Sequence, residues 1–183
     1  IPILKELKKA TLDWERINFF LVDERCVPIS DGQSNYGNIN NFFFSDINAS
    51  SYSMTNGVID SKEAASQYEE FIRKKIIVSE NGMPKFDLIL LGMGNDGHIA
   101  SLFPRTIGLL EKDKLVFANY VPQLKSERIT FSYKLILNAS HIFIITKGEK
   151  KEEIIEQIYS KKGTEYPAAK VAKEYPNLIW LIA

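Results

Sequence analysis

The sequence predicts an α/β fold built on a doubly wound, mostly parallel sheet with helices on both faces, and three observations predict it. Short runs of continuous apolar residues recur along the chain, segments of helical periodicity lie between them, and polar or Gly-containing loop sequence follows the runs. Continuous rather than alternating apolar character is what strands show when helices cover both faces of their sheet. The order strand, helix, strand implies right-handed crossovers in a Rossmann-like arrangement, where ligands sit beyond the carboxyl ends of the strands.

The chain opens on an amphipathic helical segment in which Ile3, Leu4 and Leu7 share a face. Residues 17–22 (INFFLV) read as the first buried strand. The polar stretch 45–55 reads as a surface loop, because no self-sufficient core can form on its N-terminal side. A helix is expected over 64–76, where Ala64, Tyr68, Phe71, Ile72 and Ile76 recur at helical spacing and Asp60 with Glu63 offers a capping box. Residues 86–91 (FDLILL) and 141–146 (HIFIIT) read as the second and third strands, and 178–182 (LIWLI) as a fourth candidate. Between the last two, a helix from about 149 to 160 is expected to bury Ile154, Ile155 and Ile158.

At 183 residues the chain fits one domain, 1–183, with a sizeable core. Lys+Arg and Asp+Glu both number 23, so no net charge draws it to nucleic acid or an anionic membrane, and any anion must be captured locally. Cys26 is the single cysteine and cannot form an intrachain disulfide, which suits a reducing compartment and points to the cytoplasm. No apolar run approaches the roughly 18 residues that span a bilayer, and the start is too charged for a signal peptide. The first residue is not Met and lies inside a helical pattern, so an N-terminal portion is expected upstream.

Two loops carry the candidate chemistry. After the first strand come Asp23-Glu24-Arg25-Cys26-Val27-Pro28 and then Ser34-Asn35-Tyr36-Gly37. Arg25 offers a planar, permanent charge for a phosphate or an oxyanion, and Asp23 can orient a histidine or order that arginine. After the second strand comes Gly92-Met93-Gly94-Asn95-Asp96-Gly97-His98, where glycines permit a sharp turn and close approach of backbone amides to an anion. Of the two histidines, His141 opens an apolar strand and reads as structural; His98, beside Asp96 in the turn, can take up a proton near neutrality.

Other schemes fit less well. Gly92-x-Gly94-x-x-Gly97 satisfies a dinucleotide-binding fingerprint, but Pro104 limits any following helix and the next apolar run, 115–120, ends Asn119-Tyr120 rather than in an acid. Ser101 lacks a G-x-S-x-G elbow, Cys26 between Arg25 and Val27 reads as semi-buried filler, and two distant histidines with one cysteine fall short of a zinc ligand set. Direct attack by water is the simplest chemistry. Arg128 and Lys150 are further candidate cations, Lys150 at a strand-to-helix junction that favours phosphate.

Together, residues 19–28, 34–37, 86–98, 100–104, 128–130 and 167–169 resemble, in order, the 6-phosphogluconolactonase family within the larger group that includes glucosamine-6-phosphate deaminases. The resemblance implies hydrolysis of 6-phospho-D-glucono-1,5-lactone to 6-phosphogluconate in the oxidative pentose phosphate pathway, without metal or organic cofactor. By matching motif positions, His98 would be the base, Arg25 an active-site cation, and Arg128 and Lys150 candidate phosphate-side residues; Asp23 is expected to join the catalytic group, and Asn35, Gly94 and Asp96 to bind the substrate. Such lactonases can be fused to glucose-6-phosphate dehydrogenase. The family's N-terminal portion, with a first strand and a Ser-Gly-Gly-type loop, is not within these residues. Asn95 stands where proline is common, Ile99 where threonine is common and Arg105 where glycine is frequent, while Lys147 and Glu149 replace small residues before and beside Lys150. Two alternatives follow: a deaminase or isomerase of phosphorylated amino sugars, and a non-catalytic sugar-phosphate sensor.

Overall fold

The computed structural model describes residues 2–58 and 60–182. In chain order these form α1 (Pro2–Leu7), β1 (Asn18–Phe20), β2 (Asp23–Arg25), α2 (Asn35–Asn40), β3 (Ser50–Tyr52), α3 (Ser61–Lys75) and β4 (Ile89–Gly92). There follow β5 (Val116–Val121), β6 (Ser126–Phe131), α4 (Tyr133–Ile136), β7 (Ile142–Thr146), α5 (Glu149–Tyr159), α6 (Pro167–Glu174) and β8 (Ile179–Ile182). The α/β expectation holds: β1 pairs with β3, β4 with β7 and β7 with β8, all parallel. Ile89, Leu91, Ile142 and Ile144 of the β4–β7 pair are buried but alternate with half-buried Leu90, Phe143 and Ile145, while Ile179, Leu181 and Ile182 of β8 are exposed, so the cover on both faces expected of continuous apolar strands is met only in part. No helix among the described residues is long and apolar enough to cross a membrane.

The sequence did not announce the antiparallel sheet, in the order β2-β6-β5. The expected strand at 17–22 is cut short because the Tyr68 hydroxyl of α3 accepts the Leu21 amide hydrogen at 3.1 Å, after which the Phe131 amide donates to the Val22 carbonyl at 2.9 Å. The chain thereby leaves β3 and joins β6, so Asp23–Arg25 is a strand rather than a loop. Within the stretch read as a surface loop, Ser50–Tyr52 is the partner strand of β1.

The helix expected over 64–76 is α3, begun by the Asp60 carboxylate accepting from the Glu63 amide at 2.8 Å. The capping box is not reciprocal, because the Glu63 carboxylate takes the Gln67 side chain one turn on. Ala64, Tyr68 and Ile72 are buried as expected, but Phe71 lies at the helix margin, 36% exposed, and Ala65 takes a core place. In α5, Ile154 and Ile158 are buried and Ile155 is half-buried. One buried cluster includes Tyr68, Leu91, Phe131, Ile144 and Val171, so residues from both the parallel and the antiparallel sheets share a core.

Arg105, where the resemblance finds glycine frequent, sits at φ +63° in an exposed turn. Left-handed backbone costs a non-glycine residue about 1–2 kcal/mol, and glycine's extra unfolded freedom returns about 0.5–1 of that. Arg105→Gly is therefore expected to raise stability by up to about 1.5 kcal/mol, read as a higher urea midpoint at unchanged slope; a lower midpoint would contradict the strain.

Candidate active site

β2 and β6 set the first wall of the site. Along β2 the side chains alternate: Glu24 is buried while Asp23 and Arg25 are partly exposed and line a cleft. The Glu24 carboxylate accepts from the amides of Arg25, Asn35 and Tyr36, each at 2.7 Å, and from the Ser34 hydroxyl at 3.1 Å. A buried anion with this many donors ties the strand carrying Arg25 to the start of α2, whose N-cap is Ser34. Sequence reasoning missed Glu24; period-2 alternation across Asp23-Glu24-Arg25 was the signal that could have separated it from its neighbours.

Arg25 pairs in register with Arg128 on β6. Like charges directly opposite on a sheet are destabilising, and here the Nε atoms of both guanidiniums are buried without a hydrogen-bond partner among the described residues. Burial, and then the neighbouring Arg25, hold the Arg128 guanidinium below its usual pKa. Among the described residues, Arg25 Nη1 donates to one neutral anchor, the Gln33 carbonyl at 2.6 Å. Two crowded cations with unused donors at one cleft are the physical preparation for an anion.

The second wall is the turn after β4. Gly94 N–H donates to the His98 carbonyl at 2.8 Å and Gly97 N–H to the Gly94 carbonyl at 3.1 Å, with Gly97 at φ +71°. This closes His98 back over Asp96, whose Oδ1 lies 2.6 Å from the imidazole Nδ1 and accepts the His98 amide at 3.2 Å. A carboxylate can only accept, so the neutral ring carries its proton on Nδ1 and keeps the Nε2 lone pair. Burial raises the Asp96 carboxyl pKa, but the hydrogen bond and charge of His98 outweigh it and leave the carboxyl below its ordinary value. The imidazole also stacks on Phe103, centroids 3.9 Å apart. A Cβ on Gly94 would stand 2.1 Å from Nδ1, which is why that position must be bare.

Asp23, Arg25, Asp96, His98, Arg128 and Lys150 border a single cavity of about 530 Å³, within the size range of small-molecule sites. The structure thus brings together six of the eight expected site residues. Gly94 acts beneath the imidazole, and Asn35 does not line the cavity; its side-chain amide donates to the Asp23 carbonyl at 3.0 Å. Asp23, expected to order the arginine or orient a histidine, instead accepts from the Ser101 hydroxyl at 2.7 Å, because Asp96 already holds the ring.

Several other positions resolve by burial. Ile99 is fully buried and faces the core, so the hydroxyl of a threonine there would not reach the cleft, whereas Asn95 does line it. Lys151, unnoticed beside Lys150, donates from its ammonium to the Met93 carbonyl at the start of the turn after β4; burial holds its pKa below the ordinary value, with Asp96 opposing the shift. Burial, followed by Asp60, Glu127 and Glu24, pushes the Cys26 thiol up, the opposite of an activated nucleophile. His141 is exposed with Nδ1 3.0 Å from the Asp87 carbonyl, outside the cleft. Among the described residues no group of three or more His, Cys, Asp or Glu side chains is arranged to hold a metal ion.

A family model described as glucosamine-6-phosphate isomerases/6-phosphogluconolactonase matches residues 1–180. A 6-phosphogluconolactonase of Chlamydia pneumoniae is 32% identical, the match covering 96% of this chain and 67% of the relative. The chloroplastic 6-phosphogluconolactonase 3 of Arabidopsis thaliana is 35% identical, over 98% of this chain and 60% of the relative. The crystal structure of 6-phosphogluconolactonase from Thermotoga maritima superposes with a TM-score of 0.77 at 29% identity, covering 99% of this chain and 79% of that one. This chain therefore spans 60–67% of the length of these two curated relatives.

Proposed function

Since the chain belongs to the family of glucosamine-6-phosphate isomerases and 6-phosphogluconolactonases, we propose that its cleft hydrolyses 6-phospho-D-glucono-1,5-lactone to 6-phosphogluconate, a step of the oxidative pentose phosphate pathway. The observation that carries this reading is the Asp96-held imidazole of His98 in the same cavity as the Arg25–Arg128 pair, whose two Nε atoms are buried without a partner among the described residues. His98 Nε2 takes a proton from water as the water oxygen adds to the lactone carbonyl. Asp96 supports the imidazolium that forms, and Arg25 neutralises the carbonyl oxygen as it becomes an oxyanion. The same imidazolium then gives its proton to the departing ring oxygen, which opens the ring and returns His98 to its neutral form. Arg128 and Lys150 hold the phosphate, and Asp23 with Ser101 borders the sugar. No step calls on a metal or an organic cofactor.

Residues 1–183 act in this reading as one lactonase-like unit, in the cytoplasm, fed with lactone by a glucose-6-phosphate dehydrogenase that cooperates with it or is fused to it. The test compares acid release from the lactone, after subtraction of spontaneous hydrolysis, with ammonia release from glucosamine 6-phosphate. Acid release far above the spontaneous rate and no ammonia is expected. Ammonia release would assign a deaminase, and phosphogluconate binding without turnover of either compound would assign a sensor.

A further inference from the structure

The stretch Tyr166 to Ala168 is not part of the cleft, yet it holds the residue immediately before His98. Tyr166 is the N-cap of α6 but its side chain makes no cap bond. Its ring lies instead between two glycines. A Cβ on Gly97 would meet the Tyr166 Cβ, Cγ and Cδ1 at 2.6–2.7 Å, and one on Gly163 would meet Cδ2 and Cε2 at 2.6 Å. The hydroxyl at the ring's far end donates to Gln157 Oε1 at 2.8 Å, tying the ring to α5. Next to it, the Ala168 amide in the first turn of α6 donates to the Gly97 carbonyl at 3.0 Å. The peptide linking Gly97 to His98 is thus gripped at both ends, its oxygen by Ala168 and its N–H by Asp96. This support is itself fixed, because the Tyr133 hydroxyl donates to the Pro167 carbonyl at 3.0 Å, and Ala168 is fully buried.

From this arrangement we propose that Tyr166 is a positioning residue for the His98 base, its ring wedged between Gly97 and Gly163 so that the turn presents the imidazole at a single angle to the cleft. The inference rests on the reading of His98 as the base. Gly97 at φ +71° has no side chain of its own to restrict the turn, so the restriction comes from outside, through the flat ring and the α6 amide. A misplacement of about 1 Å at a reacting group can cost about 10²-fold in rate, so the wedge acts on turnover rather than on binding of phosphate by the far wall.

The test uses Tyr166→Ala, Tyr166→Leu and Tyr166→Phe with two readouts. The first is the split between kcat and KM for lactone hydrolysis. The second is the imidazole proton resonance identified by its loss in His98→Gln, which the stacked Phe103 ring displaces from its solvent position. In Tyr166→Ala and Tyr166→Leu, kcat is expected to fall about 10–100-fold with KM within about threefold, and the resonance to move toward its solvent position. Tyr166→Phe keeps the ring and is expected to restore both to within about threefold. A folded Ala or Leu variant with native kcat and a native resonance overturns the proposal, as does a Phe variant impaired as much as the Leu variant. The resonance reports the coupling even if the wild type hydrolyses no lactone, so failure of the wedge and failure of the lactonase reading are told apart.

Discussion

His98→Gln is expected to lower kcat for lactone hydrolysis by about 10²–10⁴-fold, with phosphogluconate binding changed by less than about threefold. Glutamine is the informative replacement, because its amide can still donate to Asp96 while offering no basic nitrogen, so the turn closed by Asp96 over the His98 amide is kept. The loss is therefore that of the proton acceptor and not of the loop. Converted to barrier height, it is about 3–5.5 kcal/mol. The measurement is initial rate against lactone concentration, with the spontaneous rate subtracted at each concentration. A variant that turns over at the wild-type rate would remove His98 from the chemistry, whatever the homology of the chain.

Arg25→Met is expected to cut kcat by about 10²–10³-fold, the cost of removing one donor from an oxyanion, whereas Arg128→Met should raise KM by about 10–150-fold with kcat within about threefold. The second figure corresponds to about 1.5–3 kcal/mol for charge-assisted bonds to a phosphate, and loss of uniform binding appears in KM alone. Arg25 and Arg128 are cross-strand partners, so the contrast between them tests the proposed roles directly. Stability should move the other way. Arg128 carries a buried Nε without a partner among the described residues beside a like charge, so Arg128→Met is expected to unfold at an equal or higher urea concentration than the wild type. If both variants changed only KM, Arg25 would belong with the phosphate and the oxyanion would need another donor.

Much of the fold was legible because apolar periodicity is a local property. The runs at 86–91, 141–146 and 178–182 became β4, β7 and β8, and the helical spacing at 64–76 and 149–160 became α3 and α5, with ends displaced by at most three residues. The antiparallel sheet was not legible in the same way. β2 is three residues long, two of them acids, and exists because β6 presents its edge there; its pairing partner is more than a hundred residues away in sequence. Phe71 fits the helical spacing, yet it ends at the margin of α3 while Ala65 is buried, since the neighbours packed against a helix decide how wide its buried stripe is.

The sequence by itself determined the chemistry available to this protein: a glycine-bound turn carrying Asp96 and His98, and cations at 25, 128 and 150, all of them identifiable by residue type and neighbours along the chain. Only the tertiary structure decided which of these act together. It put Arg25 opposite Arg128, gave His98 to Asp96 rather than Asp23, sent Asn35 to the backbone beside the cleft, and set Tyr166 behind the turn that carries His98. Residue type and local spacing are written in the order of the chain, but charge proximity, orphaned donors and the space beside a glycine arise only when segments far apart in sequence are packed to contact distance.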